Sequence, residues 1–204
     1  VVAPRTNGLD VYLNDGFPAF TGTEELTTST GQILLQDFDG DGLLDIATGE
    51  GDAVRIHSGA GDGSFGTSAL YATGAPGLNS IASADFNQDG DLDLVTTNWW
   101  GKNVSVLLAD GSCSFGPAAQ FPDPASLEYP HRVFAGDMNN DGLPDILTIN
   151  HDSGPRPAYA TVMLNSTVVV LDTDGDGVLD DDDNCVDEPN ADQADLDNDG
   201  IGDA

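Results

Sequence analysis

Positive charge is scarce in this chain. Five lysines and arginines stand against 36 aspartates and glutamates, a formal net charge of −31. Nucleic acid and anionic membrane surfaces are polyanions, and a chain so charged repels both. Long apolar runs are missing as well: none approaches the roughly 20 residues of a membrane-spanning helix, so no direct span is expected. Cysteine occurs only as Cys113 and Cys185, enough for one bridge but too few for a disulfide framework. Val1 is preceded by no initiator methionine and followed by no secretory leader pattern, which reads as a mature or internal segment. Glutamate is confined to Glu24, Glu25, Glu50, Glu128 and Glu188, so nearly all the acid is aspartate.

That aspartate is concentrated rather than spread. DFDGDGLLD at 37–45 returns as DFNQDGDLD at 85–93 and as DMNNDGLPD at 137–145; DTDGDGVLDDDD at 172–183 and DLDNDGIGD at 195–203 are denser relatives. Each copy has a carboxylate or amide at positions 1, 3 and 5, glycine at 6 and aspartate at 9. A hard cation such as Ca²⁺ requires several oxygens on one tight loop, and glycine permits the turn that gathers them. An evenly acidic coat or a disordered acidic tail would not alternate in this way. About five Ca²⁺ sites are therefore expected, and without cations the clustered carboxylates repel one another.

The first aspartates of three copies stand at 37, 85 and 137, 48 and then 52 residues apart. A period near 50 carrying several short strands indicates propeller blades. Each unit has a lead-in run (Ile33–Leu35, Ile81–Ala82, Val133–Ala135), the loop, and a second run (Leu44–Thr48, Leu92–Thr97, Ile146–Ile149). A third run follows at Ala53–Ile56, Val104–Leu108 and Ala160–Leu164. Glycine turns at 59–66 and 110–116 then lead to a weaker fourth strand. The fold class expected is all-β, with four-stranded antiparallel blades. Residues 9–20 match only part of a blade, giving about three and a half in all, which points to further blades before residue 1 in a longer parent. EF-hands are excluded at position 12, where a bidentate glutamate and a helix would be required but Thr48, Thr96 and Thr148 lie in β-branched runs.

These loops, the I/L-x-T strand after them and the D-G-S-F-G turn resemble FG-GAP or VCBS repeats, the blades of integrin-α-like propellers and of many secreted bacterial proteins. The resemblance covers roughly residues 8–170, and residues 1–170 are read as one propeller segment. It implies calcium ligands at Asp37, Asp39, Asp41 and Asp45; at Asp85, Asn87, Asp89 and Asp93; and at Asp137, Asn139, Asp141 and Asp145. Position 7 (Leu43, Asp91, Leu143) would supply a backbone carbonyl. Residues 171–204 resemble a truncated thrombospondin type 3 repeat, an irregular segment wrapped around calcium. It would hold one ion with Asp172, Asp174, Asp176, Val178, Asp180 and Asp183, and another with Asp195, Asp197, Asp199, Ile201 and Asp203. Cys185 lacks its expected partner in that pattern, and Cys113, on a blade turn, is a candidate.

Function follows less directly. Millimolar calcium suits loops of extracellular modules, so a secreted or cell-surface structural and adhesive protein is expected, with a protein or glycan partner and a capacity for self-assembly. A carbohydrate-binding module of a larger polysaccharide-active enzyme and a subunit of an extracellular filament are the alternatives. Trp99 and Trp100, flanked by Asn98 and Asn103, read either as a sugar-stacking platform or as packing between blades. Gln32, Asn79, His131 and Arg132 are candidates to line a channel mouth. His57 and His151 have no zinc-ligand spacing. No nucleophile elbow, P-loop or Cys–His pair is present, and an enzyme is not expected.

Overall fold

A computed structural model describes residues 2–5, 8–14, 20–26, 32–122, 129–151 and 159–166. The chain divides into the compact units Val1–Asn165 and Ser166–Ala204. All the described residues except Ser166 belong to the first. The segment read as a thrombospondin type 3 repeat lies outside the described residues, as does Cys185.

Short β-branched runs between glycine turns build an all-β unit; no helix occurs among the described residues. The first sheet has three strands, β1 (Val2–Arg5), β2 (Gly8–Asn14) and β3 (Phe20–Leu26). The second has four, β4 (Ile33–Gln36), β5 (Asp45–Glu50), β6 (Ala53–Gly59) and β7 (Phe65–Ala72). The third has β8 (Leu78–Ala84), β9 (Asp93–Asn98), β10 (Asn103–Leu107) and β11 (Ala119–Pro122). The last has β12 (Tyr129–Gly136), β13 (Asp145–His151) and β14 (Tyr159–Met163). Every sheet is an antiparallel meander in sequence order, as blades require. The N-terminal set holds three strands, more than the partial match at 9–20 implied, because Val2–Arg5 pairs with Gly8–Val11 despite Pro4. Proline is admissible there because β1 is an edge strand.

The hydrophobic cores lie between sheets. Phe38, Ala47, Val54 and Ile56 of the second sheet close on Ile81, Leu94, Leu107 and Phe115 of the third. A second core joins Phe86, Val95, Val104 and Val106 to Val133 and Ile146 of the last sheet. Period-2 alternation sends Leu94 to one core and Val95 to the other, so β9 is buried along its whole length. Phe115 packs edge-on against Phe38 and Tyr71, with centroids 5.9 and 5.2 Å away. The Tyr71 hydroxyl also donates to the Cys113 carbonyl at 2.9 Å, tying the second sheet to the third. Tyr71→Phe removes that bond and should lower stability by about 1 kcal/mol, read as a shift of the urea midpoint with an unchanged slope.

Strands β4, β8 and β12 face a common cavity of about 340 Å³, lined by Gln32, Gln36, Ser80, Arg132 and Phe134 among others. Two of the expected channel residues, Gln32 and Arg132, lie there. His131 does not line it: a bulge between Pro130 and Arg132 leaves its ring against Trp99. Asn79 instead donates to the His131 carbonyl.

Candidate metal centre

Each acidic loop is the hairpin connection between the first and second strands of a sheet. Register fixes its ends: Gln36 pairs with Asp45, Ala84 with Asp93 and Gly136 with Asp145. A strand therefore begins at position 9 where an EF-hand would approach its helix. Two residues per loop take the left-handed conformation. Position 6 is Gly42, Gly90 and Gly142 (φ 86°, 96° and 88°), and position 4 is Gly40, Gln88 and Asn140 (φ 72°, 60° and 64°). The demand at position 6 was readable from its invariant glycine. That at position 4 was not, because glutamine and asparagine also fill it.

The side chains at positions 1, 3 and 5 organise the loop through its backbone. Asp37 accepts from the Gly40 and Gly42 N–H groups, both at 2.8 Å. Asp39 accepts from Asp41 N–H at 3.2 Å, and Asp41 from Leu43 N–H at 2.7 Å. The other loops repeat the scheme, with Asp85 accepting from Asp89 and Gly90, and Asp137 from Asn140, Asp141 and Gly142. Those backbone donors, Gly142 foremost, hold the Asp137 carboxyl below its ordinary range.

The loops differ at position 3. Asn87 and Asn139 donate their amide N–H to Asp89 and Asp141, each at 2.7 Å, which offsets part of the negative charge. Loop 37–45 has Asp39 instead. Carboxylate oxygens of Asp37, Asp39 and Asp41 lie within 4.8 Å of one another, and those of Asp39 and Asp45 lie equally close to the Cys113 sulfur. Three carboxylates at that range repel strongly, and a cation relieves the repulsion. These groups can hold a metal ion.

Position 9 has a structural role that the sequence did not announce. Asp45, Asp93 and Asp145 are all but fully buried, and both oxygens of each accept backbone N–H groups. One oxygen bonds position 2 of the loop (Phe38, Phe86, Met138) at 2.8 Å in every copy. The other bonds the residue that ends the third strand (Gly59) or stands two beyond it (Ala109, Asn165), again at 2.8 Å. The carboxylate thus clamps the loop to the far strand of the hairpin pair. Burial pushes the Asp93 carboxyl up, against the lowering effect of the Ala109 and Phe86 N–H groups, and nearby Asp89 and Asp85 add to the rise.

Two of the position 7 side chains reach across to neighbouring turns. Leu43 lies against Gly61 and Asp91 against Gly111, on the turns before the fourth strands. Cys113 is a free buried thiol, with its S–H 3.2 Å from Asp45 Oδ2. Burial first, and the Asp45 hydrogen bond second, push it up to about 12. It takes the place of Gly63 in the preceding sheet and keeps a left-handed backbone, φ 54°.

The tryptophans sit at the opposite end of the strands, in the turn between β9 and β10. Trp99 stacks on Tyr129 at 5.0 Å and 25°, so it packs across to the next sheet. Trp100 remains 70% exposed. Asn98 is not a surface hydrogen-bonding group: it is fully buried, donating to Asn103 Oδ1 and Ser105 Oγ at 2.9 and 2.8 Å. That corrects its place beside a sugar platform, since β9 is buried on both faces up to its last residue.

The family model described as FG-GAP-like repeat matches residues 37–96 and again 85–148, together more than half of the chain. No curated protein matches. Among solved structures, the chain is similar to one in the Photorhabdus luminescens Tc holotoxin pore. The identity is 16% and the TM-score 0.47, over 79% of this chain and 8% of that one. The chain therefore spans less than a tenth of that protein's length.

Proposed function

Because the chain belongs to the FG-GAP-like repeat family, we propose that it is a calcium-binding extracellular protein of structural and adhesive type, not an enzyme. Its blades would present a binding surface, and residues 171–204 would form a calcium-stiffened stalk in the manner of a thrombospondin type 3 repeat. The observation that carries the reading is the oxygen cluster of loop 37–45, whose carboxylates lie within 4.8 Å of one another on a prearranged backbone.

Calcium would be held by Asp37, Asp39 and Asp41, with Asp45 at the buried side and the Leu43 carbonyl completing the set. Asp85, Asn87, Asp89 and Asp93 with the Asp91 carbonyl, and Asp137, Asn139, Asp141 and Asp145 with the Leu143 carbonyl, would act alike. The ion's contribution is to neutralise converging carboxylates and fix the hairpin, so it is structural. Affinity rises with ligand charge, which makes loop 37–45 the tightest of the three. Extracellular placement rests on the millimolar calcium that such loops require; among the described residues no helix is long and apolar enough to cross a membrane.

Calorimetric titration of the chain with calcium tests this. About five sites are expected, and Asp41→Asn with Asp89→Asn and Asp141→Asn should remove three. A flat titration of the unaltered chain would end the proposal.

A further inference from the structure

We propose that the aromatic shelf shared by the third and last sheets is a binding site for a neutral saccharide. The shelf has an aromatic anchor, an exposed indole and a polar edge. Trp99 stacked on Tyr129 anchors the shelf across two sheets and backs the exposed Trp100. Trp100 stands edge-on to Tyr129, 6.2 Å between centroids, and exposes most of its indole. His131 and His151, both exposed, pack their rings against Trp99, and the Lys102 ammonium lies 4.9 Å from the Tyr129 ring centre.

An exposed tryptophan can be a floppy ornament, but this one is held. Trp99 N–H donates to the Gly77 carbonyl at 2.7 Å, Gly101 N–H to the Pro76 carbonyl at 2.9 Å and Lys102 N–H to the Asn98 carbonyl at 2.8 Å. Gly77 in turn donates to Asp52 at 2.7 Å. Trp100 rests directly on Gly77, where any Cβ would come within 2.5 Å of the indole. The turn is therefore rigid before any ligand arrives, which removes much of the ordering cost of binding. A held, water-exposed indole bordered by hydrogen-bonding groups is the kind of surface that can stack a ligand.

Chemistry selects the ligand class. The π face carries negative charge density, which suits the C–H face of a pyranose, and the histidines and lysine supply hydrogen-bonding partners for its hydroxyls. A ligand cation is disfavoured because Lys102 already holds the Tyr129 face. An anionic sugar is disfavoured because the chain as a whole carries −31. The calcium loops stand at the other end of the strands. The five-residue rise from Asp93 to Asn98 is roughly 17 Å, about two Debye lengths at physiological ionic strength, so they contribute no ligand here. The inference rests on the adhesive reading for its purpose and gives that reading a partner class.

The test is calorimetry of the full chain in saturating calcium with cellohexaose, mannohexaose and laminarihexaose, and with an oligogalacturonate as acidic counterpart. At least one neutral hexasaccharide should bind. Trp100→Ala should weaken it at least tenfold while leaving the melting temperature unchanged, and Trp100→Phe should restore part of the loss. Absence of binding by all three neutral probes, equal binding by Trp100→Ala, or tighter binding of the acidic probe would each overturn the inference. A chain that binds calcium but none of these sugars refutes the shelf alone; one that binds sugar but no calcium refutes the calcium proposal alone.

Discussion

Asp93→Ala should destabilise the protein by about 3–5 kcal/mol in EDTA, and by more in calcium, for which Asp93 is a proposed ligand. The carboxylate is fully buried, and its two oxygens satisfy Phe86 N–H and Ala109 N–H, each at 2.8 Å. Alanine leaves both donors orphaned, at about 1–3 kcal/mol each, and empties the space between loop and β10. Against a total stability of about 5–15 kcal/mol, that is a loss of roughly a fifth at the least. Asp93→Asn keeps a single acceptor oxygen and should fall between alanine and the unaltered chain. Asp89→Asn is the contrasting variant, because Asp89 is exposed and bonds only groups of its own loop. It should leave the EDTA melt in place and remove only part of the calcium-dependent rise. Thermal denaturation followed by circular dichroism separates the two behaviours. If Asp93→Ala melted with the unaltered chain in EDTA, the ninth aspartate would be a ligand alone, with no clamping role.

The clamp shows where sequence reading ended. An aspartate at position 9 of an acidic loop is a metal ligand by residue type, and neither spacing nor composition tells which way its oxygens point. Its partners Ala109 and Gly59 lie 16 and 14 residues away on another strand, so only folding brings them together. Strand positions were legible because they depend on local alternation: Ile33–Leu35 became β4 and Ala53–Ile56 the start of β6. The period near 50 located the blades, and the family match over 37–148 agrees with it. Contacts between sheets were not legible. Nothing near Trp99 announces Tyr129, thirty residues on, and nothing near Cys113 announces Asp45. The same limit applies to position 2, where Phe38 and Phe86 are buried against the following sheet while Met138 is 39% exposed. All three are apolar residues in equivalent places, and among the described residues only the first two have a following sheet to pack against.

Withdrawing calcium should lower the melting temperature of the β-structure by roughly 10 °C. A loop with a dissociation constant on the order of 10⁻⁴ M gains about 1.4 kcal/mol from millimolar calcium by mass action. Three blade loops together then contribute about 4 kcal/mol, and for a chain of this size each kcal/mol moves the midpoint by roughly 2–4 °C. The repulsion that calcium relieves is greatest in loop 37–45, which has no amide at position 3, so Asp41→Asn should take away more of the shift than Asp89→Asn or Asp141→Asn. Magnesium should substitute poorly, since it demands tighter octahedral geometry and keeps its waters. The triple variant at the three position-5 aspartates isolates the blades from residues 171–204. If it retained the whole calcium-dependent shift, the stabilising ions would belong to that C-terminal segment. If the unaltered chain melted identically in calcium and EDTA, the carboxylates of the blade loops would be held by their backbone N–H bonds alone.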